Sequence, residues 1–193
     1  MLYLVEIYLE EHSIRTVGVN LNMRCYKIKE KILAVKGTNF SIYDETDEVV
    51  FNAHQNAFTA GFDAFFGSFF SIKCRTTIET TDGNVVCVLV KRPSFIWQTY
   101  DIYHDDEIVA TIKREKNWWK PVFNVEGKYG SFSFAGDVFV RKFDIVKDGI
   151  IYAKVRKHDF QMSDTYHISV LNNDKDFLYI SIALAIDNCF FHN

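Results

Sequence analysis

Six histidines, at positions 12, 54, 104, 158, 167 and 192, are the first candidates for metal or acid–base chemistry, and none has metal-ligand spacing. His158-Asp159 and His104-Asp105-Asp106 place carboxylates next to imidazoles. Successive strand side chains point to opposite faces, so regular strand geometry keeps such neighbours from sharing a site. The expectation is structural or solvated histidines. Asn172-Asn173-Asp174-Lys175-Asp176 is rich in carboxylates. It lacks the central glycine and twelfth-position glutamate of a calcium loop, and reads as a helix cap or turn. No G-x-S-x-G, H-E-x-x-H, P-loop or G-x-G-x-x-G pattern occurs. The sequence therefore predicts no catalytic residue, no metal ligand and no cofactor. A non-enzymatic protein is the expectation; an enzyme whose site is assembled from separated strands is the alternative.

The remaining chemistry belongs to surfaces. Lys113-Arg114-Glu115-Lys116 runs into Trp118 and Trp119. A cation beside anionic lipid contributes about 1 kcal/mol, and tryptophan anchors at the membrane interface. Lys113, Arg114, Lys116, Trp118 and Trp119 are thus the candidate anionic-lipid contact. The plainer reading is a solvated strand end whose charges guard a rim. Lys154, Arg156, Lys157 and His158 form a second basic cluster. Between Ala57 and Phe70, phenylalanines recur at helical spacing. Gly61 and Gly67 weaken that helix by roughly 1 kcal/mol each. A short helix or aromatic loop packed on the sheet is the simpler reading. Phe62, Phe65, Phe66 and Phe69 as an aromatic contact surface for a membrane or partner is the sharper one.

These residues must be positioned by a scaffold, and the scaffold is written in β spacing. Phe40-Ser41-Ile42-Tyr43-Asp44 alternates, Glu45-Thr46-Asp47-Glu48 turns, and Val49-Val50-Phe51 resumes. The same unit recurs around Asp82-Gly83, Asp105-Asp106 and Asp148-Gly149. Asp-Gly pairs supply the positive φ of tight hairpin turns. Uneven spacing excludes a solenoid. About twelve strands fit between Arg24 and Leu171, and so many antiparallel strands must form a sandwich or close into a barrel to hide their edges. The C-terminal stretch differs. Phe177 to Ile186 is apolar apart from Ser181, and a helix apolar all round is buried or membrane-spanning. That run covers about 15 Å, against about 30 Å for a bilayer core. A barrel wrapped around a helix at about 174–190 is the arrangement predicted.

Composition narrows the class. The 193 residues are 48% hydrophobic, with 22 basic and 25 acidic side chains. Near charge balance argues against a nucleic-acid binder. Cys25, Cys74, Cys87 and Cys189 are scattered and read as free thiols. The N-terminal MLYLVEIYLEEH lacks a basic start and makes a poor signal peptide. No transmembrane helix is expected. The predicted location is cytoplasmic, peripheral at a membrane where lipid is bound.

The hairpin Trp97 to Tyr103, the run Ile108 to Lys113, Lys120 to Gly127, Phe143-Asp144-Ile145, Asp164-Thr165-Tyr166 and the ending Ala183 to Asp187 resemble the LURP-one-related family. The resemblance covers about Met23 to Asp187. It implies a mainly β, tubby C-terminal-like fold related to phospholipid scramblases: a closed antiparallel barrel of about twelve strands around a hydrophobic C-terminal helix. Met23 looks like the family start. Residues 1–22 then read as an N-terminal arm or extension, and 23–193 as a single domain. The Pro-rich and Cys-rich elements of scramblases are absent, and no phosphoinositide-binding residue of tubby is carried over. The resulting expectation is a binding or scaffold module. Its partners would be anionic phospholipid or phosphoinositide head groups, or a protein, and scramblase-like lipid handling is a further alternative.

Overall fold

The computed structural model describes residues 23–31, 39–56, 75–92, 98–115, 122–138, 141–157, 165–171 and 175–191. Among these residues twelve strands follow one another. β1 (Arg24–Lys31), β2 (Asn39–Tyr43), β3 (Val49–Asn56), β4 (Arg75–Thr80), β5 (Val85–Lys91) and β6 (Thr99–His104) form the first half. β7 (Glu107–Arg114), β8 (Phe123–Gly127), β9 (Gly130–Asp137), β10 (Lys142–Lys147), β11 (Ile150–Lys157) and β12 (Thr165–Val170) complete them. A helix, α1 (Asp176–Phe191), follows the last strand. Each strand pairs antiparallel with its sequence neighbours, and β1 pairs with β12, so the meander closes into a barrel. Closure leaves none of the described strands as an open edge, which removes the aggregation hazard of an open sheet.

Alternation sets which face is inside. Ile28, Ile42, Ala53, Ile78, Leu89, Ile102 and Ile112 are buried and meet α1 in one core. α1 is the predicted apolar helix, displaced by a residue or two: it begins at Asp176 and ends at Phe191. Every residue from Leu178 to Cys189 is buried. Each fully buried aliphatic side chain contributes roughly 1.5–3 kcal/mol, so the lumen is filled by the helix and not by strand side chains alone. Ser181 is tolerated because its hydroxyl lies 3.2 Å from Cys87 Sγ. Tyr179 meets Phe132 edge-on at 6.0 Å between ring centroids. The cap expected at Asn172, Asn173 and Asp174 lies outside the described residues, as does the 1–22 arm.

The turns are tighter than the sequence suggests. His104 and Glu107 pair as strand residues, leaving Asp105 and Asp106 alone in the turn. Both have positive φ, 50° and 60°. Asp148 and Gly149 do the same at 51° and 76°. Two consecutive left-handed residues twist the chain in the sense of the flanking strands, and aspartate tolerates that region better than most residues. The turn also revises the histidine reading: because Asp105 leaves the strand, its carboxylate comes within 3.6 Å of His104 Nε2. Asp105 is exposed, so this pair contributes little to stability.

Cys25, Cys87 and Cys189 are free thiols; Cys74 lies outside the described residues. Burial pushes both Cys87 and Cys189 up to about 12 from an ordinary 9.0. Each therefore holds its proton more tightly folded than unfolded. Their contribution is intact below about pH 9 and is lost as pH rises toward 12. We expect alkaline melts to show falling stability above about pH 9. Alkylation at neutral pH should modify Cys25 in the folded protein and leave Cys87 and Cys189 untouched until denaturant is added. Rapid native labelling of Cys87 or Cys189 would contradict the enclosed helix.

Candidate functional site

The connections of a closed meander alternate between its two ends, and here the ends differ in charge. One end carries the tight turns. It holds Asp44, Glu45, Asp47 and Glu48 between β2 and β3, Asp82 between β4 and β5, Asp105 and Asp106 between β6 and β7, and Asp148 between β10 and β11. Lys128, between β8 and β9, is the one cation among these described turn residues. The other end is where the longer connections join. Among the described residues it brings together Arg75, Lys91-Arg92, Lys113-Arg114, Arg141-Lys142 and Arg156-Lys157, against Glu30, Glu115, Asp137 and Asp187. Among the described residues acidic side chains are therefore in excess at the turn end, even with Arg24, Lys147 and Lys175 there, and basic ones are in excess at the long-connection rim.

α1 is aligned with this polarity. Its first residue, Asp176, sits at the turn end, where Arg24 approaches to 2.8 Å and the Tyr26 hydroxyl donates at 2.5 Å. Burial, followed by this hydrogen bond to a carboxylate, raises the Tyr26 pKa well above its usual value. Phe177 stacks on the His104 ring at 4.3 Å, and Lys175 Nζ lies 4.6 Å from the Tyr129 ring centre. At the rim, Asp187 is ion-paired with Arg141, both only 3% exposed. The helix N-terminus carries partial positive charge and the C-terminus partial negative charge. The acidic end therefore faces the positive pole and the basic rim faces the negative pole, and both alignments stabilise the packed helix.

Inward-facing strand positions change character at the rim. Directly opposed residues of an antiparallel pair share a face. Glu30 is opposite buried Phe40, Gln55 opposite buried Thr76, and Lys91 opposite buried Tyr100. Arg114 is opposite buried Phe123, and Lys157 opposite buried Tyr166. Each follows the last apolar inward residue of its strand by two: Ile28, Ala53, Leu89, Ile112 and Val155. Arg141 reaches the same region with a left-handed φ of 53° and lies 5.8 Å from the Tyr166 ring centre. The inward face thus turns polar at the rim, the mouth of the barrel, near Asp187, Asn188 and Cys189 toward the end of α1.

The predicted lipid contact divides here. Lys113 lies on the outer wall, exposed, 3.7 Å from Glu126. Arg114, one residue on, takes the inward register. Lys116, Trp118 and Trp119 lie outside the described residues, as do Phe62, Phe65, Phe66 and Phe69. The segments carrying them run from Arg114 to Phe123 and from Asn56 to Arg75, so both leave from and return to the basic rim. In the second basic cluster Arg156 is held on the outer wall by Asp144, while Lys157 faces inward. Arg92 is fixed by a two-pronged contact with Asp101, at 2.5 and 2.7 Å.

Cys189 has Lys91 and Arg114 within electrostatic reach, yet burial outweighs Tyr100 and these cations and pushes the thiol up to about 12. A thiol held protonated is a poor nucleophile. Among the described residues no group of three or more His, Cys, Asp or Glu side chains is placed to hold a metal ion. Sequence reasoning passed over Lys91, Arg141 and Asp187; for Lys91 the period-two pattern carried the signal, as the second residue past Leu89.

A closed twelve-stranded antiparallel barrel threaded by its own C-terminal helix defines a tubby-like domain. A family model described as LURP-one-related matches residues 24–187, and the chain belongs to that family. An X-ray structure of a protein from Arabidopsis thaliana is similar at 15% sequence identity and a TM-score of 0.54. The match covers 86% of this chain and 91% of that one, and at such identity it speaks to the fold alone. No curated protein matches the chain by sequence.

Proposed function

We propose that this protein is a non-catalytic binding module that presents its basic rim to anionic phospholipid surfaces, phosphoinositide-bearing ones included. The observation that carries the reading is the separation of charge along the barrel axis. A molecule acidic at one end and basic at the other is oriented by a negative surface before contact. The rim is also where the Trp118-Trp119 and Phe62–Phe69 segments join the barrel, so aromatic anchoring and charge attraction would act together. On this reading the protein works in the cytoplasm, peripheral at the membrane. Lipid handling through α1 has less support. The helix has 16 residues, about 24 Å at 1.5 Å per residue. Among the described residues no helix is long and apolar enough to cross a membrane.

Co-sedimentation with phosphatidylserine vesicles tests the reading. Binding should fall as salt rises, because the charge attraction then reaches only about 8 Å at physiological ionic strength. It should not vanish, since interfacial aromatics are insensitive to salt. Lys113→Gln with Lys142→Gln neutralises two exposed rim positions and should weaken binding by about thirtyfold, counting about 1 kcal/mol per lost cation. If anionic vesicles bind nothing at low salt, the lipid reading fails and a protein partner takes its place.

A further inference from the structure

We propose that the outer wall of β4–β7 is a self-association surface: two copies pack this wall face to face with their strands antiparallel, so that Arg75 of each copy meets the Asp82 turn of the other. The inference concerns the side of the barrel and goes beyond the membrane reading, and its test uses no lipid until the last arm.

Three observations carry it. First, the wall has an apolar middle. Directly opposed residues share a face, and the pairs Thr77–Val88, Val88–Tyr103 and Tyr103–Ile108 make one row across the four strands. The row points outward, because its strand neighbours Ile78, Leu89 and Ile102 lie in the core. Ile108 is 48% exposed, and Val85, opposite Glu79 and nearer the turns, is 61% exposed. Two of the four exposed large hydrophobic side chains among the described residues therefore stand two strands apart on this wall.

Second, charge divides along the wall. Thr76 to Val90 and Thr99 to Ile112 contain no lysine or arginine, and toward the turns they carry Glu79, Asp82, Asp105 and Asp106. At the rim Arg75 and Lys113 stand exposed, Arg75 opposite Val90 and Lys113 opposite Thr99. Among the described residues Arg75, Asp82 and Asp106 make no ion pair. The Lys113–Glu126 contact joins side chains 57% and 64% exposed, and contributes little.

Third, the pattern is complementary to itself in one orientation. A two-fold axis lying between the walls, across the strands, stacks the Val88–Tyr103–Ile108 row on its own copy. It brings Val85 over Val90, Arg75 to the Asp82 turn and Lys113 to the Asp105-Asp106 turn. Each contact occurs twice, as in any isologous interface. An axis along the strands would set acid against acid, and like charges facing each other across an interface are disfavoured. Charge therefore selects the antiparallel arrangement. Four strands about 4.8 Å apart and about seven residues of about 3.4 Å give roughly 450 Å² per copy, below the about 800 Å² of a standard interface. The dimer is accordingly a weak one, with a Kd on the order of 10–100 µM.

Sedimentation velocity of the full chain from about 5 to about 500 µM at low salt tests it. The expected result is a monomer–dimer equilibrium with no larger species, because a two-fold contact closes, and a Kd that rises about tenfold at about 0.5 M salt. Ile108→Lys places like charges on the axis and should leave only monomer. Arg75→Glu and Asp82→Lys, both at exposed positions, should each remain monomeric alone. Mixed in equal amounts they should dimerise again, since the charges are then opposite at both contacts. A wild-type chain monomeric at the highest concentration, species that grow beyond the dimer, or a mixture that stays monomeric overturns the surface. Co-sedimentation with phosphatidylserine vesicles separates this inference from the membrane reading. Vesicle binding by a strictly monomeric chain removes the dimer and leaves that reading standing; a dimer without vesicle binding does the reverse.

Discussion

Ile182→Asp should yield no folded protein. Ile182 sits near the middle of α1 and is 0% exposed. Its neighbours along the helix, Leu178, Ala185 and Ile186, are equally enclosed. An aspartate there must either stay ionised in an apolar lumen or take up a proton and remain a buried polar group. An unpaired charge costs many kcal/mol, and even a neutral polar group without a partner costs about 2–7 kcal/mol, before the lost apolar burial is added. Total stability of a domain is only about 5–15 kcal/mol. Ser181 shows what the lumen does accept: a small hydroxyl with Cys87 beside it. The control is Ile182→Val, which removes one methylene and should cost about 0.5–1.5 kcal/mol. Far-UV circular dichroism and soluble yield decide the matter. A soluble, cooperatively melting Ile182→Asp protein would mean that the helix is not enclosed.

Much of this architecture is legible in the residues, for identifiable reasons. Strands announce themselves because one face is buried against α1, so alternation must persist. Tyr100-Asp101-Ile102 is an example, its first and third residues joining the core. Hairpins announce themselves because Asp148-Gly149 and Asp105-Asp106 accept positive φ. The helix is legible because Phe177 to Ile186 is too continuously apolar for a strand with one wet face. Closure of β1 on β12 is not local: Tyr26 and Ile168 are paired across most of the chain, and no turn encodes that register. The candidate face is half legible. Lys113 and Arg114 read as one basic patch when taken as neighbours, yet alternation sends them to opposite sides of the wall. Counting by two from the apolar core, from Ile112 to Arg114 and from Leu89 to Lys91, finds the mouth. Arg141 escapes that count because it precedes β10 in a left-handed conformation that the sequence does not mark.

Arg141→Met should destabilise the fold by about 3–5 kcal/mol, and the double variant Arg141→Met with Asp187→Asn should recover a large part of the loss. The pair is buried on both sides, so neither charge can fall back on water. Taking two ions out of water is expensive, and their mutual attraction with other hydrogen bonds only roughly repays it. Removing one partner is therefore far worse than removing both, because it strands a charge in the lumen. Asp187 is the more vulnerable survivor: it lies near the negative pole of α1, where a carboxylate is unfavourable unless a cation answers it. Asp187→Asn alone should accordingly cost less than Arg141→Met, since the arginine it leaves faces the helix terminus and the Tyr166 ring. Denaturant melts of the four proteins give the coupling directly. Coupling of at least about 1 kcal/mol is expected for residues in contact. Additive losses would show that the ion pair does not hold the end of the helix in the barrel, and that apolar burial alone keeps it there.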